Sequence, residues 1–243
     1  MFEDQMHRLT AYFWHGDVLR SRSVSDVVLS GTIDVPAPPA RLVADWQREL
    51  SVGMALEAGD VEALPLARSQ ARARWPDYRR CVQAAVDWTQ ARGLPDVLAC
   101  SDVALMACCG ARYHHDGAQY GEAAFCNLFL TEDKGLDLHF AMTGHRIPLV
   151  RGTMVIFDTA QPHAVIQRSS DGFSTADFPP DQDNTVVFLT WELSVENSHV
   201  SRALQVSFDV DPSTTAQLSD PQLLLNDMPA IVCPASGRWC PAD

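Results

Sequence analysis

The chain has 243 residues and is 47% hydrophobic, which excludes a disordered chain and is enough to bury a substantial core. Its formal net charge of −13 argues against nucleic acid and anionic membrane surfaces as partners, because phosphate binding needs clustered lysine and arginine. Charges interrupt the apolar runs before the ~20 residues of a membrane span, and residues 1–5 lack the basic-then-apolar order of a secretory signal, so we expect a cytoplasmic protein.

The N-terminal third predicts one strand and two helices that support a β core. Residues 24–35 alternate as a strand does, and the prolines of residues 36–39 end it. Leu42, Trp46 and Leu50 recur at helical spacing, and a second helix is predicted from Pro76 to about residue 92. We expect both helices to cover one outer face of the sheet.

Five apolar segments further along the chain predict short strands. They are residues 123–130, 136–140, 153–157, 163–166 and 185–191. Such spacing predicts an antiparallel sandwich or jelly roll, the class that includes cupins. Residues 169–183 predict a loop that acts either as a lid or as an ordinary surface insertion. One more strand is expected at residues 204–209, followed by a short helix and an irregular tail.

The strongest functional signal is Tyr113-His114-His115-Asp116, followed 47 positions later by His163. Because strand side chains alternate, His114 and Asp116 share one face while His115 points away, unless a one-residue bulge reverses it. Two imidazoles and one carboxylate can occupy one triangular face of an octahedral metal. This ligand set is the 2-His-1-carboxylate triad of non-haem Fe(II) oxygenases.

On these residues the sequence resembles the 2-oxoglutarate/Fe(II)-dependent oxygenases. The resemblance spans residues 100–195 and includes His114-x-Asp116, the strand from Gly152 to Phe157, and His163. It implies a double-stranded β-helix core with packed helices, an α+β fold that is mainly β. It also implies Fe(II) bound by His114, Asp116 and His163, with 2-oxoglutarate as cosubstrate.

One element of that family pattern is missing from the sequence. The basic residue that usually anchors 2-oxoglutarate falls near Thr185, and the hydroxyl residue that follows it falls near Val187. Arg112 is the better replacement, since it lies two residues before His114 and is predicted to face the same way; pairing with an acidic residue is its alternative role. Arg168 is a second candidate, although alternation places it on the opposite face. Asn127 is a further candidate cosubstrate contact.

The leading hypothesis is therefore an Fe(II)- and 2-oxoglutarate-dependent oxygenase that hydroxylates a small molecule. The alternatives are a non-catalytic cupin-like protein that binds a metal or ligand, and a cupin metalloenzyme without 2-oxoglutarate. We expect a single domain over residues 1–243, made of an N-terminal support region (1–98), a jelly-roll core (99–210) and a C-terminal tail (211–243). A homodimer is one option for the assembly, and Cys233 and Cys240 are either a disulfide or free thiols.

Overall fold

The computed structural model describes residues 9–241, except for the side chains of residues 67, 68, 230 and 241. Residues 1–5, from which the absence of a secretory signal is predicted, lie outside this range. None of the described helices combines the length and apolar character needed to cross a membrane.

The N-terminal part of the chain contributes four strands and four helices. A π-helical turn at Glu49–Gly53 extends the first helix. The elements are β1 (Leu9–His15), β2 (Val18–Ser23), β3 (Val28–Thr32), α1 (Ala40–Arg48), β4 (Val61–Ala63), α2 (Leu66–Ser69), α3 (Ala71–Arg74) and α4 (Tyr78–Ala91). The predicted strand and both predicted helices correspond to β3, α1 and α4.

Eight strands build the centre of the molecule. They are β5 (Val103–Cys109), β6 (Ala111–His114), β7 (Ala123–Phe129), β8 (Leu136–Phe140), β9 (His145–Pro148), β10 (Thr153–Asp158), β11 (His163–Gln167) and β12 (Thr185–Ser194). One antiparallel sheet has the order β3-β10-β7-β12-β5-β4, and a second has the order β6-β11-β8-β9. Because successive strands alternate between the two sheets from β5 to β8 and again from β9 to β12, this is an eight-stranded jelly roll. The predicted fold class is confirmed.

The helices cover the outer face of the six-stranded sheet, as predicted. Trp46 of α1 contacts Trp75 edge to face, with ring centroids 6.4 Å apart, and its indole N–H donates to the Ser69 carbonyl. These side chains are buried in one hydrophobic cluster with Leu128, Ile156 and other outward residues of the sheet. The inward residues of the same strands form a separate cluster between the two sheets.

Gly152 occupies the turn that leads into β10. Its φ is +87°, and a Cβ there would lie 2.0 Å from the carbonyl oxygen of Ile33. Only glycine tolerates both conditions, which is the tight-turn role predicted from the sequence.

The last part of the chain differs from its prediction. It contains α5 (Ser198–Ala203), α6 (Pro212–Thr215), β13 (Gln222–Leu225), β14 (Met228–Val232) and β15 (Trp239–Pro241). The predicted strand at residues 204–209 is wrong, because only Phe208 forms a single bridge there, to Arg22. The predicted irregular tail instead completes a five-stranded sheet of order β15-β14-β13-β1-β2.

Candidate metal centre

Two neighbouring strands bring the three predicted ligands together. β6 ends at His114, β11 begins at His163, and these two residues lie opposite each other in the antiparallel pairing. Asp116 is the second residue after β6, and its Oδ2 lies 3.8 Å from Nε2 of His114 and 3.5 Å from Nε2 of His163. One ligand atom from each residue lies within 4.8 Å of the other two, so a single ion can contact all three.

Backbone carbonyls orient both imidazole rings. Nδ1 of His114 lies 2.7 Å from the Arg112 carbonyl oxygen, and Nδ1 of His163 lies 2.9 Å from that of Gln161. A carbonyl only accepts, so each Nδ1 carries a proton, and Nε2 is the nitrogen that points toward the other ligands. Metal-binding histidines are held in this way, with the second nitrogen donating to a carbonyl or carboxylate.

Burial shifts the pKa values of two triad residues in opposite directions. The pKa of Asp116 is raised, chiefly because burial disfavours its charged form, with the nearby His114 opposing. Burial and the same neighbour hold the pKa of His163 well below its usual value. A divalent cation held by these residues would supply positive charge that stabilises the Asp116 carboxylate, and it would bind His163 in its neutral form.

The two turns that carry the ligands are joined to each other. The backbone N–H of Asp116 donates to the Thr159 carbonyl at 2.8 Å, and the Thr159 hydroxyl donates to the carbonyls of Tyr120 and Ala123. The segments 116–123 and 158–163 are therefore held as one unit, although 47 positions separate Asp116 from His163.

A buried ion pair from the N-terminal hairpin supports this unit. Arg22 of β2 is fully buried and binds the Asp158 carboxylate through two bonds of 2.6 and 2.8 Å. Its Nε donates to the carbonyl of Gly121 at 2.6 Å. Asp158 also accepts from the backbone N–H of Ser25 and of Ala160. Arg22 thus contacts both ligand-carrying segments, and the sequence analysis did not single it out.

The triad faces a cavity of about 380 Å³ between the two sheets. Aromatic and aliphatic side chains form most of its wall, and Phe157 packs against the His163 ring with centroids 4.7 Å apart. The polar residues that line the cavity, besides the triad, are Asp102, Gln119, Tyr120, Asn127, Thr190 and Glu192. Of these, only Asn127 was predicted from the sequence. Strand alternation indicates the positions of Thr190 and Glu192, because both lie on the same face of β12 as Phe188.

Arg112 does not enter the cavity as predicted. Between the pairs His163–His114 and Val165–Ala111, β6 has one residue more than β11, a β-bulge. The bulge lets both His114 and Ala111 line the cavity, which breaks the simple alternation. Arg112 instead forms an ion pair with Asp60 at 2.7 Å, and 43% of its side chain is exposed. The acidic partner considered as its alternative role is therefore the one found.

Arg168 also lies away from the cavity. It donates to the carboxylates of Asp133 and Asp137 at 2.8–3.0 Å, on the face that alternation predicted. Asn127 does line the cavity, where its Oδ1 accepts from the Thr190 hydroxyl at 2.9 Å. Among the residues that the structure describes, no lysine or arginine lines the cavity.

The remaining candidates of the sequence lie outside the cavity. His115 points away from the triad, as predicted, and its ring packs against Trp239 at a tilt of 38°, with centroids 5.4 Å apart. Cys233 and Cys240 are free thiols.

No protein-family model and no curated protein matches the sequence. Among solved structures, the chain is similar to a viral collagen prolyl hydroxylase from Paramecium bursaria Chlorella virus-1 (TM-score 0.37, 11% identity, 68% of this chain and 90% of that one). It is also similar to a prolyl-4-hydroxylase from Pseudomonas putida (0.36, 17%, 69% and 92%). A third similar structure is EvdO2 from Micromonospora carbonacea var. aurantiaca, complexed with 2-oxoglutarate (0.36, 12%, 67% and 74%). Likeness at these TM-scores is too weak to transfer a function.

Proposed function

We propose that the chain is a non-haem Fe(II) oxygenase that uses 2-oxoglutarate and hydroxylates a small molecule. The observation that supports this most strongly is the convergence of His114, Asp116 and His163 on one point of a cavity wall. Two imidazoles and a carboxylate on one side of an ion leave its other positions open. The complete triad gives no support to the non-catalytic alternative.

The residues around the triad fit this chemistry. When bound, Fe(II) and 2-oxoglutarate supply the activation of O₂ for attack on a substrate C–H bond. The chain holds the three ligand atoms through the carbonyls of Arg112 and Gln161 and through the Asp116–Thr159 backbone bond. Phe157 and Phe125, with ring centroids 6.0 Å apart, form part of an apolar cavity wall beside the triad.

The far carboxylate of 2-oxoglutarate needs hydrogen-bond donors, and the cavity offers neutral ones. Thr190 already occupies Oδ1 of Asn127, which leaves Nδ2 without a partner among the described residues. Asn127 is 6% exposed and lines the cavity. We therefore assign this carboxylate to Asn127, helped by the Tyr120 hydroxyl, rather than to Arg112 or Arg168.

Metal binding, cosubstrate binding and turnover test the proposal separately. We expect Mn(II) to raise the Tm of the wild type, and 2-oxoglutarate to raise it further. Asp116→Ala loses the Mn(II) shift, whereas Asn127→Asp keeps it but loses the second shift, because a carboxylate there repels the cosubstrate. Succinate formation with Fe(II), 2-oxoglutarate and O₂ is the activity assay.

His145→Ala is the matched control, since this exposed histidine of β9 lies outside the cavity lining. It should behave like the wild type in all three measurements. Iron-dependent succinate formation that survives in Asp116→Ala would refute the assignment. A second candidate, a metalloenzyme that does not use 2-oxoglutarate, is favoured by the lack of lysine and arginine among the described lining residues. It predicts an Mn(II) shift without a 2-oxoglutarate shift.

A further inference from the structure

The described cavity lining carries carboxylates without a compensating basic side chain. Asp116 belongs to the triad on the four-stranded sheet, and Asp102 and Glu192 lie across the cavity, on the six-stranded sheet. A divalent metal compensates Asp116, but the proposed cosubstrate brings two further negative charges. The site thus keeps an excess of negative charge, which a cationic ligand relieves.

Asp102 and Glu192 are neighbours across two strands. β12 pairs with β5 up to Trp191 and Val103, so the next residues, Glu192 and Asp102, lie side by side. Like charges in such positions destabilise a sheet. Burial raises the pKa of Glu192, and Asp102 and Glu122 add to this effect. No ion pair joins Asp102 or Glu192 to a basic side chain among the described residues.

The space between these carboxylates and the triad is built to receive a ligand. The buried amide of Asn127 lines the cavity and is taken by the proposed cosubstrate, so the acidic pair at the mouth remains for the substrate. Its wall includes five aromatic rings, those of Tyr120, Phe125, Phe129, Phe157 and Phe188. Aromatic faces attract cations and bury apolar chains.

Tyr120 lines the same cavity as Asp116 and Glu192. Burial raises the pKa of its hydroxyl, and the charges of both Glu192 and Asp116 add to that shift. Its ring packs against Phe125 with centroids 5.1 Å apart. Aromatic surface thus connects the mouth, where Asp102 and Glu192 are exposed, to the triad.

We propose that the substrate is an organic cation whose ammonium group binds Asp102 and Glu192, while its apolar part lies along the aromatic wall toward the triad. This rests on the proposed function for the hydroxylation itself. Recognition of the charge depends on the two carboxylates and not on the metal, which allows the two ideas to be tested apart.

The test compares three probes of one shape and different charge: 3-phenylpropylamine, 3-phenylpropanol and 3-phenylpropanoate. Dissociation constants are measured by calorimetry on the full chain, with and without Mn(II). We expect the amine to bind about tenfold more tightly than the alcohol, and the carboxylate most weakly. With Mn(II) bound, paramagnetic relaxation of the probe protons reports whether the phenyl end approaches the metal.

The double variant Asp102→Asn, Glu192→Gln should lose the preference for the amine while it still binds the alcohol. Glu122→Gln is the matched control, because this exposed carboxylate is close to Glu192 but does not line the cavity. It should keep the full preference. The proposal is overturned if the wild type binds amine and alcohol equally, or if the double variant retains the preference, which would then reflect only the net charge of −13.

Failure of the proposed function looks different. If Mn(II) does not bind the wild type, the oxygenase assignment is lost. The amine preference of the metal-free protein still decides the charge of the ligand in that case.

Discussion

Replacing Arg22 with methionine should weaken the protein strongly, although Arg22 contacts neither the metal position nor the cavity. Arg22 and Asp158 are both fully buried, and the guanidinium makes two bonds to the carboxylate. In Arg22→Met the carboxylate remains buried without its counter-charge, and the Gly121 carbonyl loses its donor. Breaking a buried pair in this way costs about 3–5 kcal/mol, a large share of the roughly 5–15 kcal/mol by which a domain is stable.

The same strand provides a control. Arg20 also forms two ion pairs, with Glu196 and Asp209, but its side chain is 26% exposed. Water screens these pairs, so Arg20→Met should cost no more than about 1 kcal/mol. Urea unfolding followed by tryptophan fluorescence at pH 7 measures both free energies of unfolding.

A second readout separates positioning from stability. Because Arg22 contacts both ligand-carrying segments, Arg22→Met should also weaken Mn(II) binding under conditions where the variant is still folded. Arg20→Met should leave the Mn(II) affinity unchanged. The reasoning fails if Arg22→Met costs no more than Arg20→Met, or if its folded form binds Mn(II) as tightly as the wild type.

Three further substitutions test other parts of the structure. Gly152→Ala should cost about 2 kcal/mol or more, since the methyl group meets the Ile33 carbonyl at a positive φ; a urea midpoint equal to that of the wild type would contradict this. Phe140→Ala removes a fully buried ring that packs on Phe157, and should lower the stability by about 3–5 kcal/mol in the same assay. Hydrogen bonds from Thr214, Ser213 and Tyr12 hold the pKa of Asp211 below its usual range. The stability that the Asp211 carboxylate contributes is therefore present above pH ~4 and is lost as the pH falls below it. In Asp211→Asn the urea midpoint should consequently fall less steeply with decreasing pH than in the wild type.

The jelly roll could be predicted because its inner strands are continuous apolar segments with turns between them. The N-terminal hairpin was missed, although β1 and β2 are separated by only Gly16 and Asp17, a recognised hairpin signal. Its strands carry polar residues such as Ser21 and Arg22 at positions that become buried only through specific partners. Periodicity alone does not identify such positions.

The triad could be predicted because each ligand lies at a strand end or within two residues of one. The direction of each side chain then follows from strand alternation over only two or three residues. The direction of the Arg112 side chain could not be predicted, because a single extra residue in β6 changes which side chains face inward. No local sequence pattern marks that bulge, since it depends on the pairing with β11. Asp102 escaped notice because its place beside Glu192 follows from the β12–β5 register rather than from a motif.

Because the turns at 116–123 and 158–163 are joined, an ion bound at the triad would stabilise the fold as well as take part in the chemistry. An ion held by all three ligands cross-links two segments that the unfolded chain leaves far apart, and it binds the unfolded chain much less well. Metal occupancy therefore adds directly to the free energy of unfolding and rises with the free metal concentration. An ion bound at the triad would thus slow proteolysis of the chain by lowering the population of its unfolded state.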